Sequence, residues 1–141
     1  MSKRFTLREA QSLLPRVERL MQDAMRQKPE FDDASAAFNK MKERVHMMGG
    51  TLIDRGAALE IRQRRESSSK LLRQAVEEIL EMGVQIKDIE TGLVDFPTRF
   101  RGREVYLCWK IGENAIEYWH GEEGFQGRKA IDRDFLDHHG E

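Results

Sequence analysis

The hydrophobic pattern of this chain changes period at Gly83. From Gly83 to Arg128 it reads GVQIKDIETGLVDFPTRFRGREVYLCWKIGENAIEYWHGEEGFQGR, a stretch that holds both Trp, both Tyr and the only Cys. Apolar and polar residues alternate in twos there, between glycine-bearing turns. Upstream, apolar residues recur at spacings of three and four. A period of two sends alternate side chains to opposite faces of a strand, whereas spacings of three and four line one side of a helix. The chain is therefore expected to be α+β within a single domain, 1–141. Residues 6–82 form its helical part, 83–131 a β-meander with a Gly-rich loop, and 132–141 a flexible tail ending in DHHGE.

The helical part is expected to be a hairpin of two or three long helices. Thr6-Leu7-Arg8-Glu9 has capping-box spacing, in which the Thr hydroxyl accepts from the third helical N–H and the Glu reaches back. Leu7, Ala10, Leu14, Val17, Met21 and Ala24 then give a core-facing seam. Pro15 interrupts it, so the helix is expected to kink near Pro15. Lys28-Pro29 reads as its end. A second, antiparallel helix carries Phe31, Ala34, Phe38, Met41, Val45 and Met48 up to Gly49-Gly50, which either break the helix or let two helices pack closely. A third helix runs from about Ala57 to Met82, and Gly83 ends it in the left-handed conformation.

Three antiparallel strands are expected beyond it, over 93–98, 104–110 and 115–120. Thr91-Gly92 leads into them, and Arg101-Gly102 and Gly112-Glu113 turn them. Pro97 confines the first strand to an edge or marks its end. With two-residue loops, Val94, Trp109 and Ile116 share one row, and Phe96, Leu107 and Tyr118 the next, as an apolar face for the helices. The opposite face carries Asp95, Cys108 and Glu117 in one row. In that register His120 points away from Cys108. The following GEEGFQGR folds back over the sheet.

The formal net charge of -1 gives no electrostatic footprint for nucleic acid. Arg62-Gln63-Arg64-Arg65 is answered by Glu60 and Glu66 on the same helix, and Tyr106 and Trp119 lack the RNP pattern of RNA-binding sheets. No run of eighteen apolar residues and no leader of a basic followed by an apolar segment is present. One cysteine makes no intramolecular disulfide. A cytoplasmic location without membrane association follows as the expectation.

Three chemistries compete for the β region. Asp95, Cys108, Glu117, His120 and Glu123 are metal-ligand types gathered in one sheet and its exit loop, a mixed set suited to zinc or iron, although without CxxC, HxxxH or HExxH spacing. Cys108 as a nucleophile needs a base or a positive neighbour, for which His120 or Arg128 is placed; mid-strand between Leu107 and Trp109, it reads rather as a packed residue. An anion or small-ligand site would draw on Asp95, Glu113, His120 and Arg128, with Trp119, Tyr106 and Phe125 as stacking walls. The plainer reading pairs Lys87, Arg99, Arg101, Arg103 and Arg128 with Asp88, Asp95, Glu104 and Glu113. Neither GxGxxG nor GxxxxGKS is present, so no nucleotide fingerprint backs this site.

The motifs GLVDFP, GREVYLCWK, GE, YWH and GFQGR, with the opening FTLREAQSLLPRV, resemble a mainly bacterial family known only as domain of unknown function 2203. The resemblance spans nearly the whole chain and implies no activity, cofactor or partner. Without a recognisable catalytic spacing, and with long Ala- and Met-bearing seams, the chain is expected to be a non-catalytic interaction or scaffold protein that self-associates as a homodimer through its helices. The alternative is a small-ligand or metal-binding domain, its site between the sheet and the 121–128 loop.

Overall fold

The computed structural model describes residues 3–47 and 54–140. Gly49-Gly50, expected either to break a helix or to pack helices closely, lies outside the described residues. Helix α1 spans Leu7–Met47 as one element of 41 residues with Pro15 and Pro29 inside it. It starts as the capping box requires: Glu9 N–H donates to Thr6 Oγ1 (3.2 Å) and Thr6 N–H to Glu9 Oε1 (3.0 Å). The expected end at Pro29 is corrected, and residues 31–47 continue α1 instead of returning antiparallel to it. An internal proline forfeits one backbone hydrogen bond and crowds the preceding turn, at about 3 kcal/mol. Two features offset that cost. The apolar stripe keeps phase across Pro29, from Ala24 to Phe31, and Lys28 reaches Asp32 over the same turn at 2.9 Å.

Helix α2 spans Arg55–Glu81, and Asp54 caps it by accepting from Ala57 N–H at 3.1 Å. Gly83, at φ 91°, ends it as expected. The two helices are antiparallel, because Arg16 meets Glu78 (4.0 Å) near one end and Glu30 meets Arg64 (2.8 Å) further along.

The sheet has five strands, not three: β1 Gln85–Asp88, β2 Leu93–Phe100, β3 Arg103–Lys110, β4 Tyr118–His120 and β5 Lys129–Ala130, all antiparallel and in chain order. The β2–β3 register is the expected one, with Val94 opposite Trp109 and Asp95 opposite Cys108. Arg101 (φ 53°) and Gly102 (φ 78°) make the turn that fixes it. Pro97 sits in a strand flanked on both sides, yet β1 pairs only as far as Asp95. Beyond that end no donor is needed from Pro97, and its carbonyl accepts Phe5 N–H at 2.7 Å.

The second hairpin departs from expectation by one residue. Cys108 lies opposite Tyr118, Leu107 opposite Trp119 and Tyr106 opposite His120. The connection is longer than two residues because Ile116 N–H donates to Gln11 Oε1 of α1 at 3.0 Å and not to a strand partner. Pairing therefore begins at Tyr118, and a slip of one residue exchanges the faces of the strand. Trp119 moves to the helix side and His120 to the face of Asp95 and Cys108.

The core lies between the helices and the inner face of the sheet. Ala10, Leu14, Val17, Leu20 and Met21 of α1 and Ile79 of α2 pack on Val94, Phe96, Val105, Leu107 and Trp109. Residues expected to fray carry a short helix, α3 (Arg133–His138), whose Phe135 is fully buried against Trp119 (ring centroids 4.9 Å) and Phe100 (5.0 Å). His139 then meets the start of the chain. Its Nδ1–H donates to the Leu136 carbonyl (3.0 Å), and its Nε2 accepts Leu7 N–H (3.0 Å), one of the unpaired donors at the head of α1.

Candidate functional site

The outer face of the sheet, turned away from the helices, carries a buried polar cluster. Asp95 of β2, Cys108 of β3 and His120 of β4 are 1%, 0% and 4% exposed. One potential ligand atom from each lies within 4.8 Å of the other two. Each position follows from the registers above: Asp95 and Cys108 are cross-strand partners, and His120 stands one row away on the same face.

Hydrogen-bond accounting around His120 is restrictive. Nδ1 lies 2.8 Å from the Gly121 carbonyl, which only accepts, so Nδ1 carries a proton. In a neutral ring Nε2 then presents a lone pair, and it lies 3.0 Å from both oxygens of Asp95. Three acceptor atoms thus meet at one point, and something positive must sit among them, either a proton or a metal cation. Burial pushes the Asp95 carboxyl up, against the opposing pull of the hydrogen bond and charge of His120, in the direction that retains a proton.

Burial, and then the charge of Asp95, push the Cys108 thiol up to about 11, with a hydrogen bond from Arg128 acting the other way. At neutral pH this group is a thiol, not the thiolate that nucleophilic chemistry needs. Arg128 itself is held firmly. Its Nη2 and Nη1 donate to Glu113 Oε2 and Oε1 at 2.8 and 3.3 Å, and its guanidinium lies 4.0 Å from the Tyr118 ring centroid and 4.6 Å from that of Phe125. Glu113 Oε1 also accepts Lys110 N–H at 2.9 Å.

The residues singled out in the sequence thus separate. Asp95, Cys108 and His120 converge, with Arg128 beside them over Tyr118, the cross-strand partner of Cys108, and Glu113 bonded to Arg128. Glu117 is exposed ahead of β4, and its backbone carbonyl accepts Ile131 N–H. Glu123 is exposed in the exit loop, where its carboxylate accepts Gly121 N–H, a bond that holds it below the usual carboxylate range. Trp119 packs on Phe100 and Phe135 across the sheet from the cluster. Sequence reasoning missed the part of Tyr118, which carries Arg128, and the stacking of Tyr106 on His120. Tyr106 lies 5.4 Å from His120, ring to ring. The signal for both was present as Tyr106-Leu107-Cys108 and Tyr118-Trp119-His120, an aromatic and a ligand type two residues apart on adjacent strands.

The sequence profile of the uncharacterized conserved protein family DUF2203 matches residues 3–131. The chain belongs to this family. The DUF2203 match takes in α1, α2, all five strands and the whole cluster, and it stops short of α3. No curated protein and no solved structure matches the chain. Among the described residues of this DUF2203 member, no helix is long and apolar enough to cross a membrane.

Proposed function

We propose that this chain is a metal-binding protein in which Asp95, Cys108 and His120 hold one divalent cation of the zinc class. One observation carries the reading: a carboxylate, a thiol and an imidazole Nε2 converge within 4.8 Å in a buried site, while the other imidazole nitrogen is fixed by a backbone carbonyl. That outer bond is the usual means of orienting a metal-bound imidazole. A mixed N, O and S set suits zinc or ferrous iron, and three protein ligands leave a further coordination position for water or another small ligand. Charge supports the assignment. A thiolate and a carboxylate together offset a dication, and the Arg128–Glu113 pair beside them adds no net charge. The positive charge of Arg128 favours the ionised sulfur that a metal requires.

The test is elemental analysis of protein purified without chelator, followed by zinc titration of chelator-treated protein. About one equivalent is expected. Cys108→Ser and His120→Ala should each weaken binding by more than about a hundredfold, beyond the loss typical of a supporting residue. Failure to take up zinc or iron at stoichiometric concentrations would reject the site.

A second reading, self-association through the helices, rests on a separate observation. Past Met21 in α1 and before Ile79 in α2, the buried residues are Ala24, Ala34, Ser68 and Ala75, none of them in the core cluster. Phe31, Phe38, Met41 and Val45 remain half-buried along the same stretch of α1. A bare pair of helices covers such a seam incompletely, and a second copy laid against it would complete a four-helix layer. Equilibrium sedimentation tests this, and a monomer at tens of micromolar would count against it. A cytoplasmic location fits both readings, since a reducing compartment keeps Cys108 available.

A further inference from the structure

The three ligand types are closed off from solvent, although they lie on the face of the sheet that no long helix covers. The segment between β4 and β5, residues 121–128, borders them there: the Gly121 carbonyl lies 2.8 Å from His120 Nδ1, and Arg128 lies over the ring of Tyr118, the cross-strand partner of Cys108. Its ends are fixed, because Trp119 pairs with Lys129 across the two strands. Its middle is built from two consecutive turns, Gly124 N–H donating to the Gly121 carbonyl (3.3 Å) and Gly127 N–H to the Gly124 carbonyl (3.0 Å). Gly124 joins them at φ 77°, a conformation open to glycine and strained for other residues.

We infer that residues 121–128 are a lid over the Asp95–Cys108–His120 site, latched by Arg128 on Tyr118 and Glu113 and by Phe125 beneath Lys110. The contacts point to a latch and not to a packed core. Among the described residues, the side-chain hydrogen bonds that tie the segment to the rest of the chain are the Gly121 carbonyl bond at its hinge and those of Arg128 to Glu113. The other contacts within it are local, such as that of Glu123 with Gly121 N–H. Phe125, which closes over the guanidinium, is 39% exposed, and the Arg128 and Glu113 side chains are each 21% exposed. Segments held by few buried contacts open at a small fraction of the free energy of global unfolding. Opening here requires that the guanidinium leave Glu113 and the Tyr118 ring and that Phe125 leave Lys110, and it clears the face of the sheet that carries Cys108. The inference rests on the metal reading for its purpose, entry and release of the ion, but not for its geometry.

Cys108 is the sole cysteine, so native-state thiol labelling reads the opening directly. The protein is stripped with chelator and treated with an aromatic disulfide reagent. Labelling of the unmodified chain should be slow and set by opening. Phe125→Ala removes the ring beneath Lys110 without changing charge and should speed labelling on the order of fivefold, the share of a cation–π contact of about 1 kcal/mol. Glu113→Gln, which breaks the ion pair instead, should speed it at least as much. Rates unchanged in both variants would overturn the lid. So would a gain in rate that rises with urea as steeply as global unfolding. The assay contains no metal, so a chain that takes up no zinc yet shows both accelerations refutes only the metal reading. A zinc-binding chain with unaltered labelling refutes only the lid.

Discussion

At the scale of single residues, the cost of the site falls on groups whose charged forms are disfavoured. The folded chain keeps the Cys108 proton to a higher pH than the unfolded chain does. Between the ordinary thiol value of 9.0 and about 11, the unfolded form ionises first. The contribution of this residue is therefore intact below pH 9.0 and lost as pH rises through about 11. In metal-free protein, urea unfolding followed from pH 8 to pH 11 should show a loss on the order of 2 kcal/mol that is absent from Cys108→Ala. Metal reverses the preference, because only the thiolate binds it. The residue types of the site were legible in the sequence: Asp95, Cys108 and His120 were all recognised as ligand types. Their meeting was not, because it depends on which face His120 takes, and that is decided by a hydrogen bond from Ile116 to Gln11 more than a hundred positions away.

The secondary-structure elements show where local reading holds and where it fails. Arg101-Gly102 states its own geometry, and the β2–β3 register followed from it correctly. Gly112-Glu113 resembles a two-residue turn just as closely, but the Trp109 indole donates to the Glu113 carbonyl at 3.0 Å and the chain runs on to Ile116 before pairing resumes. β1 and β5 are short edge strands whose pairing depends on neighbours already in place, so they carried little signal. The helices failed in the opposite sense. Pro29 was read as a stop, although the stripe from Ala24 through Phe31 to Phe38 kept its seven-residue phase across it. Because Pro29 is exposed and lies within α1, Pro29→Ala should restore the missing hydrogen bond to Met25 and stabilise the chain by about 1–3 kcal/mol in urea unfolding. No gain, or a loss, would mean that the helix has already relaxed around the proline.

For the whole molecule, the strongest tie between distant parts of the sequence is α3. Phe135 completes the inner layer by stacking on Trp119 and Phe100, so Phe135→Ala should cost about 3–5 kcal/mol by the same measurement. This helix lies outside the stretch that matches the family, and the layer that it seals lies within it. The hydrogen bond from Leu7 N–H to His139 spans 132 positions of sequence. It joins elements that are themselves placed by long-range pairing, and so it belongs late, after the sheet and the helical hairpin have formed. Interactions made after the rate-limiting step leave refolding speed unchanged and act on the reverse reaction. The contact between the two ends of the chain is, in that sense, a brake on coming apart: it lengthens the lifetime of the folded molecule without helping it to be reached.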